Sequence, residues 1–215
     1  MIRPGQPWGA PTTGPPDATG AGSDRDLATL AAAHPGARLR FEPDERCELA
    51  RAVGLTAAGP GITELPVDAL DVDDVGLAVN MVIAGVAPDR LRPWSRSRPV
   101  TVRVDGRLVH DGPATTVVVA NGQFRRGVDL VPRGHPGDGR LEVQVYALAV
   151  GERTPMRRRL PGGGHLPHPR IVTTTGRRAE IRWARPAPVE VDGTPGARRA
   201  SLDVAVRSPA FVLLV

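Results

Sequence analysis

The chain has 215 residues with 25 Gly, 23 Pro and one cysteine; it contains no lysine, so its 28 basic side chains are all arginine, against 23 acidic ones, for a net charge of +5. That length accommodates one to two domains and a proper core. The lone Cys47 excludes an internal disulfide framework, no run approaches the about 18 apolar residues of a membrane-spanning helix, and an aromatic content of 3% leaves no stacking platform for single-stranded nucleic acid.

In chain order, residues 1–22, rich in Pro, Gly, Thr and Ala, read as a disordered or loosely docked tail. Ser23 is the predicted N-cap of a helix running to about Ala33, with Asp26 as a short-armed capping box and Leu27, Leu30 and Ala31 as its apolar stripe. Residues 37–41 alternate like a short strand. Asp44 is the predicted N-cap of a second helix bearing Leu49, Ala50 and Val53, stopped by Gly54. Residues 23–72 therefore read as a truncated α/β portion, ending in a candidate strand from Leu65 to Val72 that Pro66 interrupts.

The pattern then turns to strands, and residues 73–215 read as one β unit. Leu77–Ala84 is an apolar run suited to a strand buried on both faces. Residues 99–104, the dipeptide Asp105-Gly106 and residues 107–110 predict a hairpin with a type I′ turn. Further strands are expected at 115–120, 141–149, 170–175, 178–184, 187–191, 201–206 and 211–215. Regular short strands with abundant Gly and Pro between them predict a β-sandwich, so the fold class is α+β and mainly β. No helix has the look of a major-groove reader, so no nucleic-acid partner is expected. The N-terminus carries no apolar signal region, and the expected setting is the cytoplasm.

The dipeptides carry the chemistry. Strand 115–120 runs into Asn121-Gly122; Gly127, Pro132 and Asp138-Gly139 follow before the strand at 141; Gly164-His165 comes next; Glu190-Val191-Asp192-Gly193-Thr194 closes the set. Glycines at such turns permit positive φ and close approach of another group. From about Glu64 to the C-terminus, this ordered set resembles the C-terminal domain of the diacylglycerol kinase-like lipid kinases. The resemblance implies a β-sandwich whose last strand, 210–215, returns to the N-terminal portion. It places Asn121, Gly122, Gly127 and His165 beside a nucleotide cleft and Asp138 at the position of a structural magnesium. One carboxylate is far short of the octahedral oxygen shell Mg²⁺ demands. Pro167 and Pro169 beside His168 prevent a helical ligand face with His165. The family's catalytic Asp-Gly-Glu maps onto Asp192, Gly193 and Thr194. A threonine hydroxyl cannot take the lipid's proton as a carboxylate does. Glu190, two residues before Asp192 and on the same strand face, is the candidate substitute.

On the nucleotide side the resemblance calls for Gly-Gly-Asp-Gly-Thr and then Gly-Thr-x-Asn-Asp, whose backbone N–H groups cradle phosphates. Gly22 to Asp26, with Ser23, Asp24 and Asp26, resembles a worn counterpart of the first. The segment 43–55, opened by Asp44, stands where the second belongs. The expectation is a catalytically degenerate family member that binds a lipid or a partner and needs no cofactor. One alternative is an active kinase that uses ATP and Mg²⁺ to phosphorylate a diacylglycerol-type hydroxyl; another is an interaction subunit completed by a second copy or a different chain. Arginine clusters at 125–126, 157–159, 177–178 and 198–199 suit an anionic lipid surface, met peripherally at the inner membrane face. Arg157–Arg159 is expected in a flexible loop flanked by Gly and Pro.

Overall fold

The structure, a computed structural model, describes residues 8–55 and 63–215; residues 1–7 of the expected tail and 56–62 of the expected α/β portion lie outside the described residues. The first elements are β1 (Ala10–Pro11), β2 (Ala18–Gly22), α1 (Asp24–Ala33), β3 (Arg38–Pro43), α2 (Glu48–Val53), β4 (Thr63–Val72), β5 (Gly76–Ala78) and β6 (Met81–Gly85). Then come β7 (Arg98–Val104), β8 (Arg107–Ala114), β9 (Thr116–Ala120), β10 (Phe124–Arg125), β11 (Val128–Asp129) and β12 (Leu141–Tyr146). The last are α3 (Val150–Arg159), β13 (Ile171–Gly176), β14 (Arg178–Ala187), β15 (Val189–Val191), β16 (Thr194–Pro195) and β17 (Arg199–Leu214).

Two sheets stack. One runs β1-β4-β17-β14-β7-β8, with β5 on β4 and with β3, then β2, joined in parallel to β17; the other runs β13-β12-β9-β6-β15-β16. Three apolar cores follow from strand alternation. On β4, Leu65, Val67 and Ala69 point into a core with α1, α2 and β3, whereas Leu70 and Val72 point between the sheets. On β6, Val82 and Ala84 fill the space between the sheets, whereas Met81 and Ile83 join the outer core under α3. Every residue of β9 is buried for the same reason: odd positions face one core and even positions the other. The β-sandwich and the mainly β class stand as expected. The Asp105-Gly106 hairpin has the positive φ values of a type I′ turn at both positions, 49° and 77°.

Five sequence expectations differ from the fold. Residues 10–11 and 18–22, read as tail, form β1 and β2, and Trp8 docks by donating its indole N–H to the Pro66 carbonyl at 3.1 Å and packing edge-on against His135. Partner strands β4 and β3 supply the ordering that local composition withholds. The second helix begins at Glu48, because Asp44 instead closes a local turn by accepting the Arg46 N–H at 2.7 Å. The apolar run 77–84 is two strands in different sheets. Strand β12 stops at Tyr146, and the next residues form α3, despite Pro155 in its interior. Helix α3 holds because Glu152 accepts the Ala149 N–H at 2.7 Å and because Met156 is buried in the outer core. Arg157, Arg158 and Arg159 thus form its last turn, where cations complement the helix dipole, and are not in a loop. Finally, residues 199–214 are one long strand, whose Val212–Leu214 pair with Arg38–Arg40 of β3.

Candidate functional site

The chain leaves one sheet at Ala78 and enters the other at Met81. Between them the backbone has no strand partner, so its N–H and C=O groups need other ones. Asp192 provides the acceptors: Oδ2 takes the Val79 N–H at 2.9 Å and Oδ1 those of Asn80 and Met81 at 3.0 Å each. Its φ of 48°, with Gly193 at 77°, belongs to the tight turn from β15 to β16 that aims the carboxylate inward. Asn121 provides donors: its amide nitrogen bonds the carbonyls of Val79 and Asp68, both at 2.8 Å. The Asn80 carbonyl accepts the N–H groups of Asn121 at 2.8 Å and Gly122 at 3.0 Å. Gly122 is required for closeness, not for φ, since a Cβ there would run into Asn80 Oδ1.

A cavity of about 530 Å³ opens in front of this crossing, between the start of α1, the α2 segment, the turn at 125–127 and the β15–β16 turn. Ser23, Asp24, Gly127, Glu190, Asp192 and Thr194 line it. Asn80 joins the parts: its amide nitrogen donates to Asp24 Oδ2 at 2.8 Å and to the Phe124 carbonyl at 3.1 Å. Asp24 also accepts the Leu49 N–H at 2.9 Å, and Glu48 the Gly127 N–H at 2.7 Å. Burial raises the carboxyls of both Asp24 and Asp192 above the ordinary carboxylate range; the charge of Asp192 adds to the rise at Asp24, and hydrogen bonds oppose it at both. Burial and the nearby Asp24 charge also push the Cys47 thiol up, which makes it inert.

Glu190 does line the cavity, but one of its oxygens accepts both Arg125 Nε at 3.1 Å and Arg125 Nη2 at 2.6 Å, and the other faces Arg90 at 3.7 Å. Arg125 is buried and pairs with Asp89 as well. Glu190 is therefore one end of a buried ion pair, with both oxygens facing guanidinium groups. Thr194 is exposed at the mouth.

The other expected site residues lie elsewhere. Asp26 is at the α1 start, where its Oδ2 accepts the N–H and hydroxyl of Ser23 at 2.8 and 2.7 Å; those bonds, the hydroxyl's first, hold its carboxyl below the ordinary range. Its segment sits on a strand-to-helix turn. Asp44 is paired with Arg46 at 2.6 Å, which holds its carboxyl low. His165 is buried away from the cleft. Its Nε2 meets the Leu130 carbonyl at 3.0 Å, so that nitrogen carries the proton, and burial lowers its pKa. Asp138 and the buried Asp68 brace the turn before β12: each gives one oxygen to a backbone N–H, of Arg140 at 2.9 Å and Gly139 at 2.6 Å. Two carboxylates used this way do not make a magnesium shell, and the described residues contain no group of three or more ligating side chains. Sequence reading missed Asn80, Glu48 and Asp68. For Asn80 a signal existed, an amide inside the otherwise apolar run 77–84.

In fold, the chain is similar to a diacylglycerol kinase from Bacillus anthracis str. Sterne, with a TM-score of 0.74 at 17% identity over 92% of this chain and 76% of that one. It is also similar to yeast NADH kinase complexed with NADH, with a TM-score of 0.53 at 12% identity over 93% and 61% of the two chains. A third is the Archaeoglobus fulgidus NAD kinase in complex with ATP, with a TM-score of 0.52 at 14% identity over 93% and 78%. No curated protein matches the chain in sequence. Among the described residues no helix is long and apolar enough to cross a membrane. Residues 76–213, which hold every dipeptide from Asn121-Gly122 to Asp192-Gly193, match the model of the YegS C-terminal NAD kinase beta sandwich-like domain, and the chain belongs to that family.

Proposed function

We propose that this kinase-family protein does not transfer phosphate and acts as a lipid- or partner-binding module. One observation carries the reading: carboxylates that line this cleft already accept the backbone N–H groups at and behind its wall, so those donors are not open to a phosphate. Asp192 takes three, Asp24 takes that of Leu49, and Glu48 takes that of Gly127. Phosphoryl transfer depends on such donors for positioning and charge neutralisation. The guanidinium groups point the same way. Arg125 is held by Glu190, and the exposed Arg46, Arg51 and Arg126 each face a carboxylate, of Asp44, Glu48 and Asp89, at 2.6, 3.4 and 3.8 Å; those three exposed pairs could exchange partners at little cost. Thr194 supplies no base where the family pattern has a glutamate.

The test is the melting temperature with and without millimolar Mg-ATP, since a ligand that binds only the folded chain must raise it. No shift is expected. Thr194→Glu is expected to leave phosphate transfer to diacylglycerol undetectable, because it repairs the base and not the cradle. An ATP-dependent rise in melting temperature, or transfer by either protein, would overturn the reading in favour of an active lipid kinase.

A further inference from the structure

The largest exposed apolar side chain of the described residues is Trp94, at 79% exposure, in the connection between β6 and β7. A single exposed tryptophan is unremarkable if its loop is loose. This loop is held. Arg153 of α3, itself only 4% exposed, donates to the carbonyls of Pro93 and Ser95 at 2.6 Å each and to the Ser97 hydroxyl at 2.9 Å; Arg157 reaches the Leu91 carbonyl at 3.3 Å. A buried guanidinium thus fixes the backbone on both sides of an outward tryptophan. Val150, Arg153 and Arg157 lie three and four residues apart on one stripe of α3, so the loop runs along that stripe. Val150, at 57% exposure, opens that stripe.

The charge around this apolar edge has one sign. Residues 91–104 contain no Asp or Glu, and the one acid of α3, Glu152, is already paired with Arg170 at 3.3 Å. Arg92, Arg96, Arg158 and Arg159 are exposed, and none makes an ion pair among the described residues. Trp94 borders neither of the two larger cavities, so it protrudes and does not line a groove. A protruding indole beside unpaired guanidinium groups fits the boundary of a bilayer, where tryptophan sits at headgroup level and basic side chains meet anionic lipid.

We infer that the 91–98 loop and the stripe of α3 form a docking face for an anionic lipid surface, with Trp94 as its interfacial anchor and Arg92 and Arg96 as its electrostatic contacts. The inference rests on the lipid-binding side of the function proposed above. The face lies outside the cleft, so docking does not depend on anything the cleft binds.

Co-sedimentation of the full chain with phosphatidylglycerol/phosphatidylcholine vesicles tests it. Arg92→Ala/Arg96→Ala should weaken partitioning roughly 30-fold at low salt, from about 1 kcal/mol per basic residue. Trp94→Ala should weaken it at least about tenfold, with partial rescue by Trp94→Phe. Arg107→Ala/Arg177→Ala, which removes the same charge at the other end of β7, should change it less than about twofold. All of these side chains are at the surface, so melting temperatures should match that of the parent chain. Equal vesicle binding by the parent, Trp94→Ala and Arg92→Ala/Arg96→Ala would overturn the docking face while leaving lipid binding intact. No binding to phosphatidylglycerol vesicles at low salt would overturn both. Strong binding to heparin, indifferent to Trp94→Ala and without vesicle binding, would identify an acidic macromolecule in place of a bilayer.

Discussion

Removing the Asp192 carboxylate should break the molecule at the point where it passes from one sheet to the other. Asp192 is 6% exposed, and its two oxygens are the acceptors for three consecutive N–H groups, of Val79, Asn80 and Met81. Each buried donor left without an acceptor costs about 1–3 kcal/mol. Relief from burying a charge offsets part of that sum, and alanine at a φ of 48° adds about 1–2 kcal/mol of its own. Asp192→Ala should therefore cost about 4–7 kcal/mol, close to the whole stability of many domains. At roughly 2–4 °C per kcal/mol for a chain of this size, the melting temperature should fall by about 10–25 °C. Asp192→Asn keeps the turn, since asparagine tolerates positive φ, and keeps one acceptor oxygen, so it should cost only about 1–3 kcal/mol. Urea unfolding, followed through the fluorescence of the buried Trp183, measures both. If Asp192→Ala lay within about 1 kcal/mol of the parent, the crossing would not depend on this carboxylate, and the structural account of the Asp-Gly motif would be wrong.

Three other outcomes follow from the same geometry. Gly122→Ala should destabilise by about 1–3 kcal/mol in urea, because its Cβ must displace the Asn80 amide from the centre of the network. Glu190→Ala should cost about 1.5–3 kcal/mol by leaving the buried Arg125 with Asp89 as its remaining carboxylate partner, and Arg125→Met/Glu190→Met should recover part of it in a double-mutant cycle. Asp24→Asn should gain on the parent chain as pH rises from the ordinary carboxylate range toward neutrality, as read from melting temperatures across that range. The folded-state pKa of Asp24 is raised, so the native state binds more protons than the unfolded one. The parent's stability from this group is therefore present at low pH and lost as pH rises through the folded pKa, whereas the neutral amide does not titrate. A difference independent of pH would mean that Asp24 is not held neutral by its burial.

Much of the fold was legible in local sequence. The α1 boundaries follow from Ser23, Asp26 and the apolar stripe, and the Asp105-Gly106 hairpin from a dipeptide that readily adopts positive φ at both positions. These are decisions between residues a few positions apart, and the chemistry of those residues settles them. The run from Leu77 to Ala84 marks the limit. Alternation and apolarity identify extended, doubly buried chain correctly, but two strands in different sheets and one continuous strand share the same composition. The break at Val79-Asn80 depends on Asp192 and Asn121, which are more than a hundred and about forty positions away.

Helix α3 was missed for a related reason. Gly151 and Pro155 argue against a helix locally, while burial of Met156 under the outer face of the second sheet argues for one, and that sheet exists only in three dimensions. The candidate site divides the same way. That Thr194, and no carboxylate, follows Asp192-Gly193 is a fact of the sequence. That Glu190 is locked to Arg125, that His165 lies away from the cleft, and that carboxylates fill the backbone donors around it are facts of tertiary structure. Sequence by itself determined which functional groups this protein has, because side-chain chemistry is written residue by residue. Only the folded chain decided which of them are free to act, because hydrogen bonds and ion pairs between distant residues use up lone pairs and donors that the sequence leaves open.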